Sequence, residues 1–231
     1  MRTCVVQYMT GEQDPHMLRS FYQPCMRSVY EWAKARGYEY KLYTSVPEEM
    51  KRDWNSDLGV DFYDLAHMVF DKLMLCDQPD YDRVMWVDND IYAWGDPEID
   101  KSWFCIAWEE KMRLYQDWRF PFPQSGIFWG MDGVKDFIEW YKYQINNPQD
   151  RDDRFQFILL AHKFGWTENF NDQFLMSPWY YDNSWRIKNM GLKGAATVHR
   201  RFNPVNMEEI TPNSFVHFTN TFEGHYSDRI S

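Results

Sequence analysis

No apolar run in the 231-residue sequence approaches the roughly 18 residues of a membrane span, and the N-terminus shows no signal-peptide pattern. An Asn-X-Ser/Thr sequon is also missing. A cytoplasmic protein with no membrane span is therefore expected. Cysteine is scarce: Cys4, Cys25, Cys76 and Cys105 are widely scattered, with no close pair and no zinc-like spacing. Their apolar surroundings predict reduced core thiols rather than a disulfide framework. Cations are in deficit, 25 Lys and Arg against 35 Asp and Glu, for a net charge of -10. A general nucleic-acid binder would need the opposite balance, so no nucleic-acid partner is expected. There is no internal repeat, low-complexity tract or linker, and the length suits one domain with a sizeable buried core. Aromatics are the surplus, with 12 Trp, 15 Tyr and 17 Phe making 19% of the chain. They serve cores and sugar-binding faces alike, and composition does not separate the two uses.

The stretch around which the chain is organised is Arg83-Val84-Met85-Trp86-Val87-Asp88-Asn89-Asp90. Four consecutive apolar residues suit a strand covered on both faces, as in the centre of an α/β sheet. The run ends in two carboxylates spaced i, i+2, which extended backbone would place on one face about 7 Å apart. Two anions so close repel, and burial adds a desolvation cost that a divalent cation would remove. Ligands also collect at the carboxyl ends of strands in open α/β sheets. Three readings are open at this point. One is a solvated Asx turn. Another is a glycosyltransferase Asp-X-Asp that grips a nucleotide-sugar diphosphate through a metal. The third is a haloacid-dehalogenase-like phosphatase motif with Asp88 as nucleophile.

In chain order, Thr3 to Thr10 reads as a first strand. A helix is expected from about Pro15 to Gly37, kinked near Pro24, and then a second strand from Tyr38 to Thr44. That order makes a βαβ unit with parallel strands. Residues 45 to 61 read as loop, and Leu65 to Cys76 as an apolar helix carrying Asp71 and Lys72. Ile91 to Trp94 reads as a continuation of the Asp88 strand. Phe104 to Trp108 and Gln124 to Met131 read as strands, and helices are expected at Val134 to Ile145 (capped by Asp132), Asp152 to Phe164 and Glu168 to Met176. Asn183 to Met207 holds no acid but includes Arg186, Lys188, Lys193, Arg200 and Arg201. It reads either as a solvated basic face or as the border of an anion site. Phe215 to Phe218 reads as a last short strand containing His217.

The phosphatase reading weakens on order, because a complete βαβ unit precedes Asp88 and Tyr92 stands where a small residue is usual. The ordered series Phe70-Asp71-Lys72-Leu73, Trp86-Val87-Asp88-Asn89-Asp90, Gln124-Ser125-Gly126-Ile127-Phe128, Asp172-Gln173 and His217 resembles GT-A-fold glycosyltransferases. It is similar to glycogenin-like enzymes and to retaining galactosyl- and xylosyltransferases. The small, leaderless, aromatic-rich form also resembles glycosyltransferases of large DNA viruses or bacteria, which would set a viral protein in the host cytoplasm.

The resemblance implies a single GT-A (Rossmann-like) α/β domain, with a mixed, mostly parallel central sheet flanked by helices. Residues 1–94 would form the nucleotide-binding half and 95–231 the acceptor-binding half. It implies Mn2+ or Mg2+ held by Asp88, Asp90 and His217, and a UDP- or GDP-sugar donor bordered by Gln7, Tyr8, Thr10, Lys72, Asp88, Asn89, Gln124 and Ser125. Catalytic roles would fall to Asp172, Gln173 and Glu168, acting on a glycan or glycoprotein acceptor. One departure stands out. The Gly-X-X-Lys that often follows the late histidine is absent, since Phe218-Thr219-Asn220-Thr221 follow His217. A phosphate-binding cation would have to come from Lys72, Arg200, Arg201 or Arg229.

Overall fold

A computed structural model describes residues 1–9, 19, 22–52, 54, 70–115, 118–163, 172–190, 195–197 and 213–217, with backbone alone at 108–115, 118–122, 124, 162, 163, 172–174 and 195–197. Strand β1 (Thr3–Tyr8) leads to helix α1 (Gln23–Ala35) and strand β2 (Glu39–Tyr43), which pairs parallel to β1. The expected βαβ unit is present. Pro24 sits in the first turn of α1, a position that tolerates its missing N–H, and most of the expected helix before residue 22 lies outside the described residues. Gly37 follows the helix at φ +68°, as a left-handed C-terminal residue. One turn, α2 (Glu48–Lys51), interrupts the expected loop, and residues 70–76 form helix α3.

Strand β3 (Arg83–Val87) is buried at every position and lies parallel to β1. Its residues alternate between two cores. Val84 and Trp86 join Cys4, Val6, α3 and the later helices on one face, while Met85 and Val87 join Val5 and Val29 and Trp32 of α1 on the other. This two-sided cover is why the run reads as unbroken apolar sequence.

Strands β5 (Phe104–Tyr115) and β6 (Trp118–Gly130) form a hairpin much longer than expected. Pro121 and Pro123 argue against a strand. However, β6 pairs with β3 only from Ile127 to Gly130, so both prolines lie beyond the end of β3, where β6 has one neighbour. The six-stranded sheet runs β2-β1-β3-β6-β5-β7, with β7 at Lys188–Asn189. Three of its five pairings are parallel and those of β6 are antiparallel, so it is mixed and mostly parallel.

Helices α4 (Asp132–Asn146), α5 (Asp153–Lys163) and α6 (Asp172–Asn183) follow. Met131 rather than Asp132 precedes α4 as its N-cap. Asp152 Oδ1 caps α5 by accepting from the Arg154 and Phe155 amides at 2.9 and 3.3 Å. The expected helix ending at Met176 continues through Pro178 to Asn183, because Met176, Trp179 and Tyr180 are buried in the core and that packing outweighs the proline. Aromatics fill this layer. The Phe104 and Phe128 rings stack at 5.7 Å, and Phe104 meets Phe137 edge-on at 5.5 Å and Trp179 at 5.0 Å. For these rings the surplus is core. Trp185, 82% exposed, is the opposite case.

Ile91 to Trp94 does not extend β3. It forms β4 of a second, three-stranded sheet with β9 (Ser214–His217) and β8 (Ala195–Thr197), in the order β4-β9-β8. The four cysteines are free and buried. Burial pushes the Cys4 and Cys105 thiols up to about 12, so both stay protonated near neutral pH.

Candidate metal centre

The site forms where the two sheets part. Between β3 and β4 the chain turns rather than staying extended, and the Ile91 amide donates to the Asp88 carbonyl at 3.2 Å. The expected same-face strand spacing therefore gives way to a tight turn, which brings the two carboxylates together by another route. Ile91 pairs with His217 across β4 and β9, so Asp90, one residue before Ile91, lies beside the imidazole. Ligand atoms of Asp88, Asp90 and His217 all fall within 4.8 Å of one another.

His217 is buried, and its Nε2 lies 3.2 Å from Asp90 Oδ1. That is ion-pair range, yet Asp90 Oδ1 is buried and accepts no aligned hydrogen bond. Burial opposes a proton on the imidazole, but the charge and contact of Asp90, with Asp88 behind it, outweigh burial and hold its pKa above the ordinary value. Room for the ring comes from Gly126. A Cβ there would stand 2.6 Å from His217 Cε1 and 3.1 Å from both ring nitrogens.

Asp88 is fixed from several sides. Its amide donates to the Gly126 carbonyl at 2.7 Å, and its Oδ1 accepts from Trp86 Nε1 at 2.5 Å. The Lys72 ammonium lies 3.3 Å from the same oxygen, donates to the Ser125 carbonyl at 3.0 Å and sits 5.1 Å over the Trp86 ring. Lys72 is buried, so it is not a lysine that snorkels to the surface. The amide side chain of Gln7 is wholly buried, donating to the Asp88 carbonyl at 3.1 Å and accepting from the Tyr40 hydroxyl at 2.7 Å. Asn89 Nδ2 donates to the Tyr8 carbonyl at 2.6 Å, while Asn89 Oδ1 is buried with no hydrogen-bond partner. The Tyr8 hydroxyl donates to Asp71 at 2.9 Å.

Of the residues expected at the site, Gln7, Tyr8, Lys72, Asp88, Asn89, Asp90, Ser125 and His217 come together here, Ser125 through its carbonyl. Gln124 lies in β6 opposite Ala107, and Asp172 and Gln173 open α6; for these three the backbone alone is described. Thr10, Glu168, Arg200, Arg201 and Arg229 lie outside the described residues. In the acid-free segment, Arg186 pairs with Asp136 at 3.4 Å and Lys188 pairs with Asp100. Lys188 lies in β7, separated from β3 by β6 and β5, and its partner Asp100 accepts through its carbonyl from Arg83 at the opening of β3, so Lys188 does not border this site.

Trp86, Tyr40 and the space-making role of Gly126 were not foreseen. Alternation places residues 86 and 88 on one face, a signal that could have paired the indole with Asp88.

The donor set fits a divalent metal. Two carboxylates and one imidazole converge, and a buried carboxylate oxygen has no donor of its own.

No protein-family profile matches the chain, and no curated protein matches it by sequence. Among solved structures, it aligns with a glycosyltransferase involved in the glycosylation of the major capsid of PBCV-1, at a TM-score of 0.55 and 12% identity over 100% of this chain and 98% of that one. Apo mouse xyloside xylosyltransferase 1 aligns at a TM-score of 0.45 and 11% identity, over 97% of this chain and 100% of that one. The apo-form glycosyltransferase GlyE of Streptococcus pneumoniae TIGR4 gives 0.49 and 11%, over 96% of this chain and 55% of that one. Those two scores carry no weight here. The first match shows the fold, which is GT-A-type.

Proposed function

We propose that this chain is a metal-dependent glycosyltransferase that moves a sugar from a nucleoside-diphosphate sugar to a glycan or glycoprotein acceptor. The observation that carries the proposal is the convergence of Asp88, Asp90 and His217 at the carboxyl end of β3 in a GT-A-type fold. The whole-chain likeness favours this reading of the Asp-X-Asp over a phosphatase nucleophile.

In this reading residues 1–94 bind the nucleotide and 95–231 serve the acceptor. Asp88, Asp90 and His217 would hold Mn2+ or Mg2+, the imidazole tilting the choice toward Mn2+. When bound, the ion supplies Lewis-acid stabilisation of the charge that develops on the leaving diphosphate. The protein's own contribution is positioning. Trp86 and Lys72 lock one oxygen of Asp88, and Gln7, itself held by Tyr40, fixes the Asp88 carbonyl and with it the turn to Asp90. Gln7 thus supports the site from behind. The buried Asn89 Oδ1, lacking a donor, is an acceptor for a donor-sugar or ribose hydroxyl. We assign Tyr8, Thr10, Gln124 and Ser125 to the border of the donor, and Asp172, Gln173 and Glu168 to the sugar and acceptor. An inverting reaction would use Asp172 or Glu168 as the base at the acceptor hydroxyl. Among the described residues no helix is long and apolar enough to cross a membrane.

The test is a panel of UDP- and GDP-sugars incubated with the protein and Mn2+ or EDTA, with release of nucleoside diphosphate as the readout. Metal-dependent release from one donor supports the assignment. Metal-independent release, or none from any donor, contradicts it.

A further inference from the structure

Lys72 occupies a place that neither a surface lysine nor a simple substrate contact requires. It is buried, its ammonium is 3.3 Å from Asp88 Oδ1, and the carbonyl of Ser125 and the face of Trp86 complete its surroundings. The neighbouring carboxylate Asp71 is engaged by the Tyr8 hydroxyl. Lys72 thus puts its charge on an oxygen of a residue assigned to the metal. Resting on the proposed function, we propose that Lys72 is the resident counter-ion of the carboxylate pair, and that it makes metal loading depend on the nucleotide's diphosphate.

Charge sets the balance between these states. Asp88 and Asp90 carry two negative charges, and the Lys72 ammonium cancels one of them. In the metal-free protein this is favourable, because it relieves the repulsion between two part-buried carboxylates. For a divalent cation it is a handicap. Any ion ligated through Asp88 shares that carboxylate with a fixed positive charge in a poorly screened environment, where like charges interact strongly. Metal alone is then held weakly. A diphosphate reverses the balance, since its oxygens both ligate the ion and offset the ammonium. Each should therefore strengthen the binding of the other by the same factor, as linkage requires. Lys72 is in this view a positioning and charge-setting residue, and a direct donor contact is the rival role.

The test titrates Mn2+ into wild type, Lys72→Met and Lys72→Arg, each with and without UDP or GDP, following free Mn2+ by electron paramagnetic resonance. Wild type is expected to bind Mn2+ at least tenfold more tightly with nucleotide than without. Lys72→Met should bind Mn2+ alone at least tenfold more tightly than wild type and show reduced coupling to nucleotide. Lys72→Arg, which keeps the charge, should bind Mn2+ alone as weakly as wild type. Folded Lys72→Met protein with unchanged or weaker affinity for Mn2+ alone would overturn the proposal, including the case in which only the donor-sugar KM rises. If Lys72→Met does not fold, wild type still decides: tight Mn2+ binding indifferent to nucleotide overturns the proposal. Failure of wild type to bind Mn2+ under any condition sinks the proposed function itself, and is distinguishable from the other outcomes.

Discussion

The imidazole of His217 rests on the backbone of Gly126, so close that a Cβ at that position would stand 2.6 Å from Cε1. One methyl group at residue 126 would therefore displace the imidazole from Asp88 and Asp90. Gly126 sits in β6, whose neighbouring residues are buried in the sheet. Gly126→Ala is expected to push the ring aside while the sheet persists. Mn2+ affinity in the presence of nucleotide should fall tenfold or more, with little change in Tm. An unchanged affinity would show that His217 is not a ligand.

Asp88 and Asp90 should respond differently to removal in the metal-free state. Asp88 neutralises the buried Lys72, so Asp88→Ala strands an ammonium. A loss of about 2 kcal/mol is expected, below the full cost of breaking a buried pair because Asp88 is part-exposed. Asp90 instead faces His217 at 3.2 Å, a partner that can shed its proton when the carboxylate is lost, as the Lys72 ammonium does less readily, and its removal relieves repulsion with Asp88. Asp90→Ala should be neutral or slightly stabilising, while both variants lose metal-dependent nucleotide binding. Urea denaturation without metal checks the contrast, and equal destabilisation would contradict it.

Asp100 offers a pH signature remote from the site. Burial works to raise its pKa, but hydrogen bonds from Lys188, the Ser102 amide and the Trp129 indole outweigh this and hold it at about 2, against an ordinary 3.8. A depressed carboxylate stabilises the fold fully above its unfolded value and loses that contribution as pH falls. The stability gap between wild type and Asp100→Asn should thus be complete above about pH 4 and shrink between pH 3.8 and about 2. Melting curves at pH 6, 4 and 3 check this; a gap that widens toward acid would contradict it.

Much of this was legible from local sequence. Val84 to Val87 is buried on both faces, and a strand of that kind leaves an unbroken apolar run. The carboxylates at its end followed from the same run. What local pattern could not show was tertiary. The turn after Asp88 that sends Ile91 into a second sheet leaves no periodic trace. Pro121, Pro123 and Pro178 each argued locally against the element they occupy, and a one-sided strand and a buried helix face overrode them. The Lys72–Asp88 contact joins a helix to a strand end, and only the folded chain brings the two together.

Asp88, Asp90 and His217 are proposed to form a metal site for a nucleoside diphosphate. The most direct measurement is the thermal shift of the full chain with UDP or GDP, in Mn2+ and in EDTA. A ligand bound only to the folded state raises Tm, at 100 times its Kd by the equivalent of about 2.7 kcal/mol. The account predicts a rise with one nucleotide in Mn2+ that disappears in EDTA and in Asp90→Ala. A rise of the same size in EDTA, or none with either nucleotide in Mn2+, would contradict it.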